Sequence, residues 1–572
     1  MTNALNRRFV LGTWRWPWLA AGFAIALTLP SLWSGLAADD YIHAAMLRHR
    51  PGFTTEPLGL FTFVRAGDVE AAGRIALPWW SAPDLQIAFW RPVAALTHVL
   101  DCALWPDAPW LMHAQSIAWY AAAVLLVGWL FQRILGAGWI AGLAALAYAA
   151  DPTHALSVDF IAGRNALVGV AFGAATLLLH DTWRRQRCTV AAWLAPGTFA
   201  LGLLSNEGAI AIAAYLFAYA LFLDSGALRS RLVSLAPYAM VAVVWQCSYH
   251  ALGYGTTAAY GHVDPVRSPS PFLHAMVMRT PAYLVGQWLL PSENVFVWLP
   301  QIGFTILVLL AAAVVGGLAG LLWPLIRTTP ATRFWLAGMM LALVPACTGS
   351  GDRMLVFTGI GAAALVAQLA GTLAVRRLGP RLVVGALVAL HLCVASVWLP
   401  IRVVATGETL AGITTGVRDL ALRPDIGRKC VVLINDFRFA SYFAALRSLE
   451  GLEPVEQVLV LAPASQLDVA IVLTRTADDT LVMDAAHHDG WDTDRGDGNP
   501  FVAGTTIRRP HVSIEVLRVE DGLPTRVSFH FDRSVDDPLF AWFAAPGDAQ
   551  PWAPPPIGMS VTYPRMPIGP AR

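Results

Sequence analysis

Apolar segments of about membrane-spanning length recur along most of this 572-residue chain. They lie at residues 16–37, 111–131, 138–150, 165–180, 190–204, 207–223, 232–252, 302–323, 334–347, 354–374 and 382–400. A transmembrane helix needs about 20 predominantly apolar residues. Only 13% of the residues are charged and 56% are hydrophobic, whereas soluble domains contain roughly a quarter charged residues. The sequence therefore predicts an all-α polytopic membrane domain with about 11 transmembrane helices.

Arginines in the loops between these segments indicate the topology, because cytoplasmic loops are enriched in Lys and Arg. If the N-terminus is cytoplasmic, the following arginines all fall on the cytoplasmic side: Arg7, Arg8, Arg15, Arg133, Arg184, Arg185, Arg187, Arg229, Arg231, Arg327, Arg333, Arg376, Arg377 and Arg381. The first apolar segment has the length of a span rather than of a signal-peptide core, which predicts an uncleaved signal anchor. We expect a multi-pass protein of a bacterial-type inner (plasma) membrane. Its net charge of +1 gives no strong field that would favour nucleic acid as a partner.

The predicted membrane domain occupies residues 1–400 and includes two long outer loops, 38–110 and 254–300. Aromatic and apolar patches in the first loop predict interfacial helices. The second loop carries Arg279 and Pro281 within an apolar stretch, which predicts an interfacial or re-entrant segment rather than a span. Residues 401–424 are predicted to be a linker. In residues 425–572, short alternating apolar runs between turn signals predict a small, mostly β extracytoplasmic domain.

Two adjacent carboxylates, Asp39 and Asp40, follow the first apolar segment directly. Acidic residues at a membrane boundary are costly to retain and are functional candidates by default. The alternatives are a helix cap or an acid that only sets topology. The topology above places the pair outside the cytoplasm.

Several short motifs occur in an order that resembles a known class of enzyme. Asp39, Asp40 and Tyr41 follow the first segment, FWRPV precedes the second, DPTHALSVDFIAGRN follows the third, and SNEG precedes the sixth. This order is similar to that of the polytopic GT-C glycosyltransferases, and within them to the protein O-mannosyltransferase group and the tetratricopeptide-containing O-mannosyltransferases. The resemblance covers about the first 370 residues. The chain departs from the family pattern at Asn206, where the family has Lys beside the acid Glu207, and it has no tetratricopeptide repeats.

The resemblance implies a glycosyltransferase, expected to be inverting, that takes a sugar from a polyprenyl-phosphate donor. The acceptor would be a hydroxyl of a protein, a lipid or a glycan on the extracytoplasmic face. A hydroxyl is a weak nucleophile and needs a base within hydrogen-bond reach. Asp39 or Asp40 would be that base, and the sequence does not separate them. The other acid would orient the loop or bind a divalent cation such as Mg²⁺ or Mn²⁺, and the resemblance leaves metal dependence open.

The leaving lipid phosphate would need cationic partners, and arginine is the planar, bidentate donor for that purpose. The candidates near the predicted outer face are Arg91, Arg164, Arg353, His98 and His154. Glu207 and Asp159 are candidates for metal binding or support. For the arginines the alternative is interfacial snorkelling or an ion pair, and for His98 it is a satisfied polar pair with Asp101.

Two other functions fit the same sequence. A transporter or flippase of a lipid-linked substrate would use the outer arginines but needs no base, and it would be favoured by inverted repeats. An assembly scaffold of the cell envelope would need neither the acidic pair nor the arginines.

Overall fold

The computed structural model describes the greater part of the chain. The described residues are 15–53, 57–67, 77–259, 261–289, 303–434, 437–463, 471–485, 491, 494–496, 498–544 and 550–563. Arg7, Arg8 and residues 290–302 of the second outer loop lie outside them. The helices, strands and contacts of the described structure lie within these ranges.

Helices account for most of the first 450 residues. They are α1 Arg15–Thr28, α2 Asp39–Leu47, α3 Pro92–Leu104, α4 Pro109–Leu135, α5 Trp139–Ala149, α6 Ala155–Asp159, α7 Asn165–Gln186, α8 Thr189–Leu203, α9 Ala211–Phe222, α10 Leu228–Val233, α11 Ala236–Ala251, α12 Pro269–Leu289, α13 Gly303–Thr328, α14 Pro330–Ala346, α15 Thr358–Ala370, α16 Leu378–Ala389, α17 Ala395–Ala421 and α18 Phe437–Leu449. Short 3₁₀ turns Leu29–Trp33, Glu207–Ile210 and Asp352–Val356 extend helix ends.

Strands lie mainly in the C-terminal part. They are β1 Thr62–Val64, β2 Gln86–Ala88, β3 Gly255–Thr257, β4 Cys430–Leu433, β5 Gln457–Val460, β6 Ile471–Ala477, β7 Thr480–Ala485, β8 Thr506–Arg509, β9 Val512–Glu520, β10 Leu523–Phe531, β11 Phe540–Ala544, β12 Gln550–Pro551 and β13 Ser560–Tyr563. The predicted layout, a helical membrane domain followed by a mostly β domain, is confirmed.

The chain forms two compact units. The helical unit contains residues 1–36, 90–253 and 263–408. The mixed unit contains residues 37–89, 254–262 and 409–572. Most of the first outer loop therefore groups with the C-terminal region. Residues 401–424, which we expected to be a linker, are largely the end of the continuous helix α17.

Small residues allow close helix packing in the helical unit. A Cβ atom on Gly361 of α15 would lie 2.6 Å from the Met339 Cβ and 2.7 Å from the Trp335 carbonyl oxygen, both on α14. A Cβ atom on Gly338 of α14 would likewise collide with the ring of Tyr215 from α9. Membrane helices associate through such small-residue contacts, because lipid gives no hydrophobic drive for association. These glycines fix the spacing of α9, α14 and α15.

Six helices among the described residues are long and apolar enough to cross a membrane, so the expected count of about 11 is not confirmed. They are Arg15–Trp33, Pro109–Leu135, Ile161–Gln186, Leu228–Ala251, Gly303–Thr328 and Leu378–Ala421. Other predicted spans coincide with shorter helices such as α5, α8 and α15, of 11, 15 and 13 residues. Turns take up the ends of segments 138–150 and 354–374, so α5 and α15 are shorter than their apolar segments.

Three sheets belong to the mixed unit. Strands β1–β2–β3 form a small antiparallel sheet. A six-stranded antiparallel sheet has the order β13–β6–β7–β10–β9–β8. A four-stranded sheet has the order β12–β11–β4–β5, in which β11, β4 and β5 are parallel. Its parallel pairs require crossovers, and α18 lies in the connection from β4 to β5.

The prediction of interfacial helices in the first outer loop is wrong for the patch that contains Trp79 and Trp80. Trp79 and Trp80 are fully buried, and they belong to the core of the mixed unit with Trp491 and Phe529. The Trp79 indole donates to the Leu461 carbonyl at 3.0 Å. These tryptophans are packed side chains in a protein core rather than anchors in the headgroup layer.

A histidine connects the two larger sheets of the mixed unit. His511, in the turn between β8 and β9, bonds through Nε2 to Glu456 Oε1 at 2.9 Å and through Nδ1 to Asp532 Oδ2 at 2.8 Å. Only the imidazolium can donate both bonds. The hydrogen bonds to Glu456 and Asp532 raise the pKa of His511 above 6.5.

We expect this bridge to make stability depend on pH. Because the folded-state pKa is raised, the stabilisation is complete below about pH 6.5, the unfolded value, and is lost as pH rises through the folded value. The unfolding temperature of the full chain in detergent should therefore fall as the pH rises above about 6.5. In His511→Asn the unfolding temperature should depend less on pH. Asn suits the positive φ of 61° at this site.

The matched control is His49→Asn, an exposed histidine of the same unit with a φ of 49°. It should leave the pH dependence intact. A His511→Asn profile identical to that of the unsubstituted protein would contradict the bridge.

Candidate functional site

The acidic pair opens helix α2 in the mixed unit. Asp39 and Asp40 form its first turn, where the helix dipole stabilises negative charge. Asp40 is buried, with 4% of its surface exposed, and its Oδ2 accepts the Ala37 backbone N–H at 3.1 Å. The Asp40 backbone N–H in turn donates to the Ala37 carbonyl at 3.0 Å. Asp40 thus closes the turn that starts the helix.

Asp39 has a different environment from Asp40. Its side chain is half-buried, and Oδ1 accepts a hydrogen bond from the Tyr442 hydroxyl at 3.2 Å. Tyr442 belongs to α18, and α18 packs against α2. The Asp39 carboxylate is thus partly exposed and held by a side-chain hydroxyl, whereas one oxygen of the buried Asp40 bonds to the backbone of Ala37.

In the helical unit, Arg91 and Glu207 form an ion pair at two helix starts. Arg91 immediately precedes α3, and Glu207 begins the 3₁₀ turn that leads into α9. The guanidinium contacts Glu207 Oε2 through Nε at 2.8 Å and through Nη2 at 2.7 Å. The exposed fractions of the two side chains are 14% and 23%. Both side chains therefore keep part of their surface exposed.

The residues around Glu207 keep its position fixed. Asn206, which stands where the family pattern has Lys, accepts the Gly208 N–H at 2.7 Å and donates to Asn165. It acts as an N-cap for the turn. The Glu207 Oε1 atom is buried without a hydrogen-bond partner. It could supply one oxygen to a divalent cation, but Mg²⁺ and Mn²⁺ need several further ligands.

Arg164 is buried completely and is paired inside the helical unit. Its Nη1 contacts Asp101 Oδ2 at 2.6 Å, its Nε donates to Ser116 Oγ at 2.9 Å and its Nη2 donates to the Met112 carbonyl at 2.7 Å. The guanidinium thus ties the start of α7 to α3 and α4. These are the contacts of a structural ion pair, and phosphate binding by Arg164 stays a prediction.

The two candidate histidines are also buried. His98 lies on α3 with 4% exposure. His154 Nδ1 is 3.1 Å from the Tyr120 hydroxyl and 3.1 Å from the Asp151 carbonyl oxygen. Burial lowers the pKa of His154 and keeps the imidazole neutral. A neutral, buried imidazole is a weak partner for a phosphate dianion.

Asp159 accepts a hydrogen bond from Ser34, which follows the end of the first span. Its Oδ1 accepts the Ser34 hydroxyl at 2.5 Å, and its Oδ2 is buried without a partner. Burial raises the pKa of Asp159 to about 7, against the opposing effect of the Ser34 hydrogen bond. A Cβ on Gly407 would lie 2.9 Å from Oδ2. The carboxyl group is enclosed by the helical unit, and its supporting role stays a prediction.

Arg353 lies beside a second buried ion pair. It belongs to the 3₁₀ turn before α15 and is half-buried, whereas its neighbour Asp352 is buried and paired with Arg402. Burial raises the pKa of Asp352, and the Arg402 charge opposes this shift. Arg402 Nη1 also donates to the Pro152 carbonyl at 3.1 Å. Arg353 is thus presented on a turn that its neighbour anchors.

Several residues of this region were missed in the sequence. The Gln287 amide nitrogen donates to Asp151 Oδ2 at 3.1 Å, and the Gln287 amide oxygen accepts the Thr358 hydroxyl at 2.9 Å. Arg402 pairs with Asp352 and donates to the Pro152 carbonyl. The sequence signal that could have identified Arg402 is its position as a single charged residue in an apolar stretch, shortly after Pro400. Tyr442 has no such signal, because nothing local distinguishes it from a core aromatic residue.

Within the described ranges, no cluster of three or more His, Cys, Asp or Glu side chains has the geometry of a metal site. His487 and His488 lie outside these ranges. The dependence on Mg²⁺ or Mn²⁺ stays an open expectation.

No protein-family model matches the chain, and no curated protein matches its sequence. Among solved structures, the Archaeoglobus fulgidus oligosaccharyltransferase, tethered to an acceptor peptide with the NVT sequon, has a TM-score of 0.44 at 12% identity. The match covers 79% of this chain but 64% of that one, which is less than two thirds of its length. ArnT from Cupriavidus metallidurans bound to undecaprenyl phosphate has a TM-score of 0.40 at 15% identity, over 77% of this chain and 89% of that one. Its apo form has a TM-score of 0.40 at 14% identity, over 77% and 85%.

These matches are consistent with the GT-C class predicted from the motifs. The narrower resemblance to the O-mannosyltransferase group is not confirmed. The likeness concerns the fold alone, and the chemistry depends on the chain's own residues.

We expect substitutions at Arg164 and Arg91 to have different effects on the unfolding temperature. Arg164→Met leaves Asp101 buried without its partner, and breaking a buried ion pair costs about 3–5 kcal/mol. The variant should show a much lower unfolding temperature in detergent. Arg91→Lys keeps the charge at an accessible site and should unfold near the temperature of the unsubstituted protein. If Arg164→Met unfolded normally, the structural assignment of Arg164 would be wrong.

Proposed function

We propose that this protein is an integral membrane glycosyltransferase. It transfers a sugar from a polyprenyl-phosphate donor to a hydroxyl of a protein, lipid or glycan acceptor on the extracytoplasmic face. The observation that carries the proposal is the half-buried carboxylate of Asp39, held by a hydroxyl at a helix start that directly follows the first span.

The proposed step is a single displacement at the anomeric carbon. The acceptor oxygen attacks while Asp39 takes its proton, and the bond from the anomeric carbon to the phosphate oxygen breaks with both electrons staying on the phosphate. The transition state is oxocarbenium-like, so a nearby carboxylate also stabilises it. One displacement inverts the anomeric configuration.

The lipid phosphate leaves with added negative charge and needs a cationic partner. Arg91 is the leading candidate, because it is partly exposed and Glu207 fixes its guanidinium. Arg353 is the second, because it is half-buried on an anchored turn. Arg164, His98 and His154 have the burial of supporting residues. Glu207 orients Arg91, or contributes one oxygen to Mg²⁺ or Mn²⁺ if the reaction uses a metal.

The proposed topology has a cytoplasmic N-terminus and an extracytoplasmic C-terminal domain in a bacterial-type inner membrane. It is supported by ion pairs that join predicted cytoplasmic loops. Asp181 Oδ2 accepts from Arg133 at 2.9 Å, and its Oδ1 contacts Arg185 at 2.6 Å. Arginines of two loops therefore lie at the same end of the helical unit, as the positive-inside rule requires.

We expect Asp39→Asn to remove transfer activity while leaving the fold intact. Loss of a general base lowers the rate by about 10²- to 10⁴-fold. The assay would follow labelled sugar from a panel of synthetic polyprenyl-phosphate monosaccharides in proteoliposomes. Asp84→Asn, at an exposed acid of the same unit, is the matched control and should retain full activity.

Asp40→Asn keeps an acceptor oxygen for the Ala37 N–H, so it should lose less activity than Asp39→Asn. If both variants transferred sugar at the normal rate, the glycosyltransferase proposal would be refuted. Lipid movement without any transfer would favour a flippase, which needs no base. Inactivity with every donor, together with tight binding of an envelope polymer, would favour a scaffold.

A further inference from the structure

Helix α18 of the C-terminal region packs against α2 within the mixed unit. The two helices are far apart in sequence, since Tyr442 and Asp39 are separated by 403 positions. A polar contact between them is the hydrogen bond that the Tyr442 hydroxyl donates to Asp39 Oδ1 at 3.2 Å. The acid that follows the first span therefore receives a hydrogen bond from the C-terminal region.

The position of α18 does not depend on this hydrogen bond. Arg447, one turn further along α18, is 1% exposed and donates to main-chain carbonyls on both sides. Its Nη1 reaches the Ala421 and Arg423 oxygens at 2.6 and 2.8 Å, and its Nε and Nη2 reach the Glu453 oxygen at 2.9 and 2.5 Å. Planar guanidinium donors in such a fork fix geometry closely. The helix is thus a rigid support for Tyr442.

A second hydroxyl on α18 makes a comparable contact near the end of α2. Ser448 Oγ donates to the Pro51 carbonyl at 3.2 Å. This bond holds the same two segments together but involves a backbone acceptor, and it lies six residues from Tyr442 along the helix. A substitution at Ser448 therefore tests the attachment of α18 without removing the hydrogen bond to Asp39.

We propose that Tyr442 is a positioning residue for Asp39, and that the C-terminal region thereby completes the catalytic base. This inference rests on the proposed function. The Tyr442 hydroxyl restricts the Asp39 carboxylate to one rotamer, which preserves the geometry that proton transfer requires. A hydrogen bond to the ionised form also favours the carboxylate over the carboxylic acid. The base is then both oriented and charged when the acceptor hydroxyl arrives.

The test compares Tyr442→Phe, which removes one oxygen atom, with Ser448→Ala in the full chain. Transfer is measured in proteoliposomes with labelled polyprenyl-phosphate monosaccharides as donors. Tyr442→Phe should lower kcat by roughly 10-fold with an unchanged KM for the donor, since orientation rather than binding is lost. The acidic limb of its kcat profile should move to higher pH, because a donor to the ionised form is missing. Ser448→Ala should keep the normal profile.

A Tyr442→Phe variant with normal kcat and a normal pH profile would overturn the inference. Equal losses in Tyr442→Phe and Ser448→Ala, in step with a lower unfolding temperature and without a shift in pH profile, would also overturn it, because the role would then be attachment of α18. Asp39→Asn, measured in parallel, separates the two proposals. If it is inactive while Tyr442→Phe is normal, only the positioning role fails; if it is active, the proposed function fails and the positioning role with it.

Discussion

Charged groups within a membrane-embedded helical unit are stable only when partners of the same unit compensate them. Here the compensation is made where helices end. Arg164 pairs with Asp101 at the start of α7, and Arg402 pairs with Asp352 at the turn before α15. Such pairs add little net stability, but each fixes which helix ends meet, because the wrong arrangement would leave a buried charge unpaired. The positions of the polar turns follow from this constraint.

The same constraint sorts the arginines by what they can do. A guanidinium whose nitrogens are already bonded inside the protein would have to lose those bonds to take a phosphate, as is the case for Arg164. Arg91 retains 14% exposure beside its Glu207 partner, whereas the Arg164 side chain has none. The exposed fraction therefore separates two arginines that the predicted outer face places together.

The sequence predicted the class of fold well, because long apolar segments and alternating short runs reflect burial directly. It placed Glu207 near a helix start, whereas for Asp39 and Asp40, which open α2, a helix cap was only the alternative to a functional role. It could not distinguish Arg164 from Arg91, because both follow the same local pattern and differ only in tertiary partners. It likewise assigned Trp79 and Trp80 to the membrane interface, although they are buried by the β domain, which is distant from them in sequence. Contacts between residues hundreds of positions apart, such as Tyr442 with Asp39, leave no local signal.

The backbone before the acidic pair explains why the two acids differ. Ala38 has a φ of 48°, which a non-glycine residue adopts at a cost of about 1–3 kcal/mol. Such a conformation persists only when the surroundings require it. Here the Asp40 side chain and backbone both bond to Ala37, on the other side of the strained residue. Asp40 thus holds the turn closed, and the direction in which Asp39 leaves the helix is set by that turn. The two adjacent acids therefore differ in their partners, since Asp40 bonds to the backbone of the strained turn and Asp39 bonds to the Tyr442 hydroxyl, and the proposed assignment of the base to Asp39 depends on this difference.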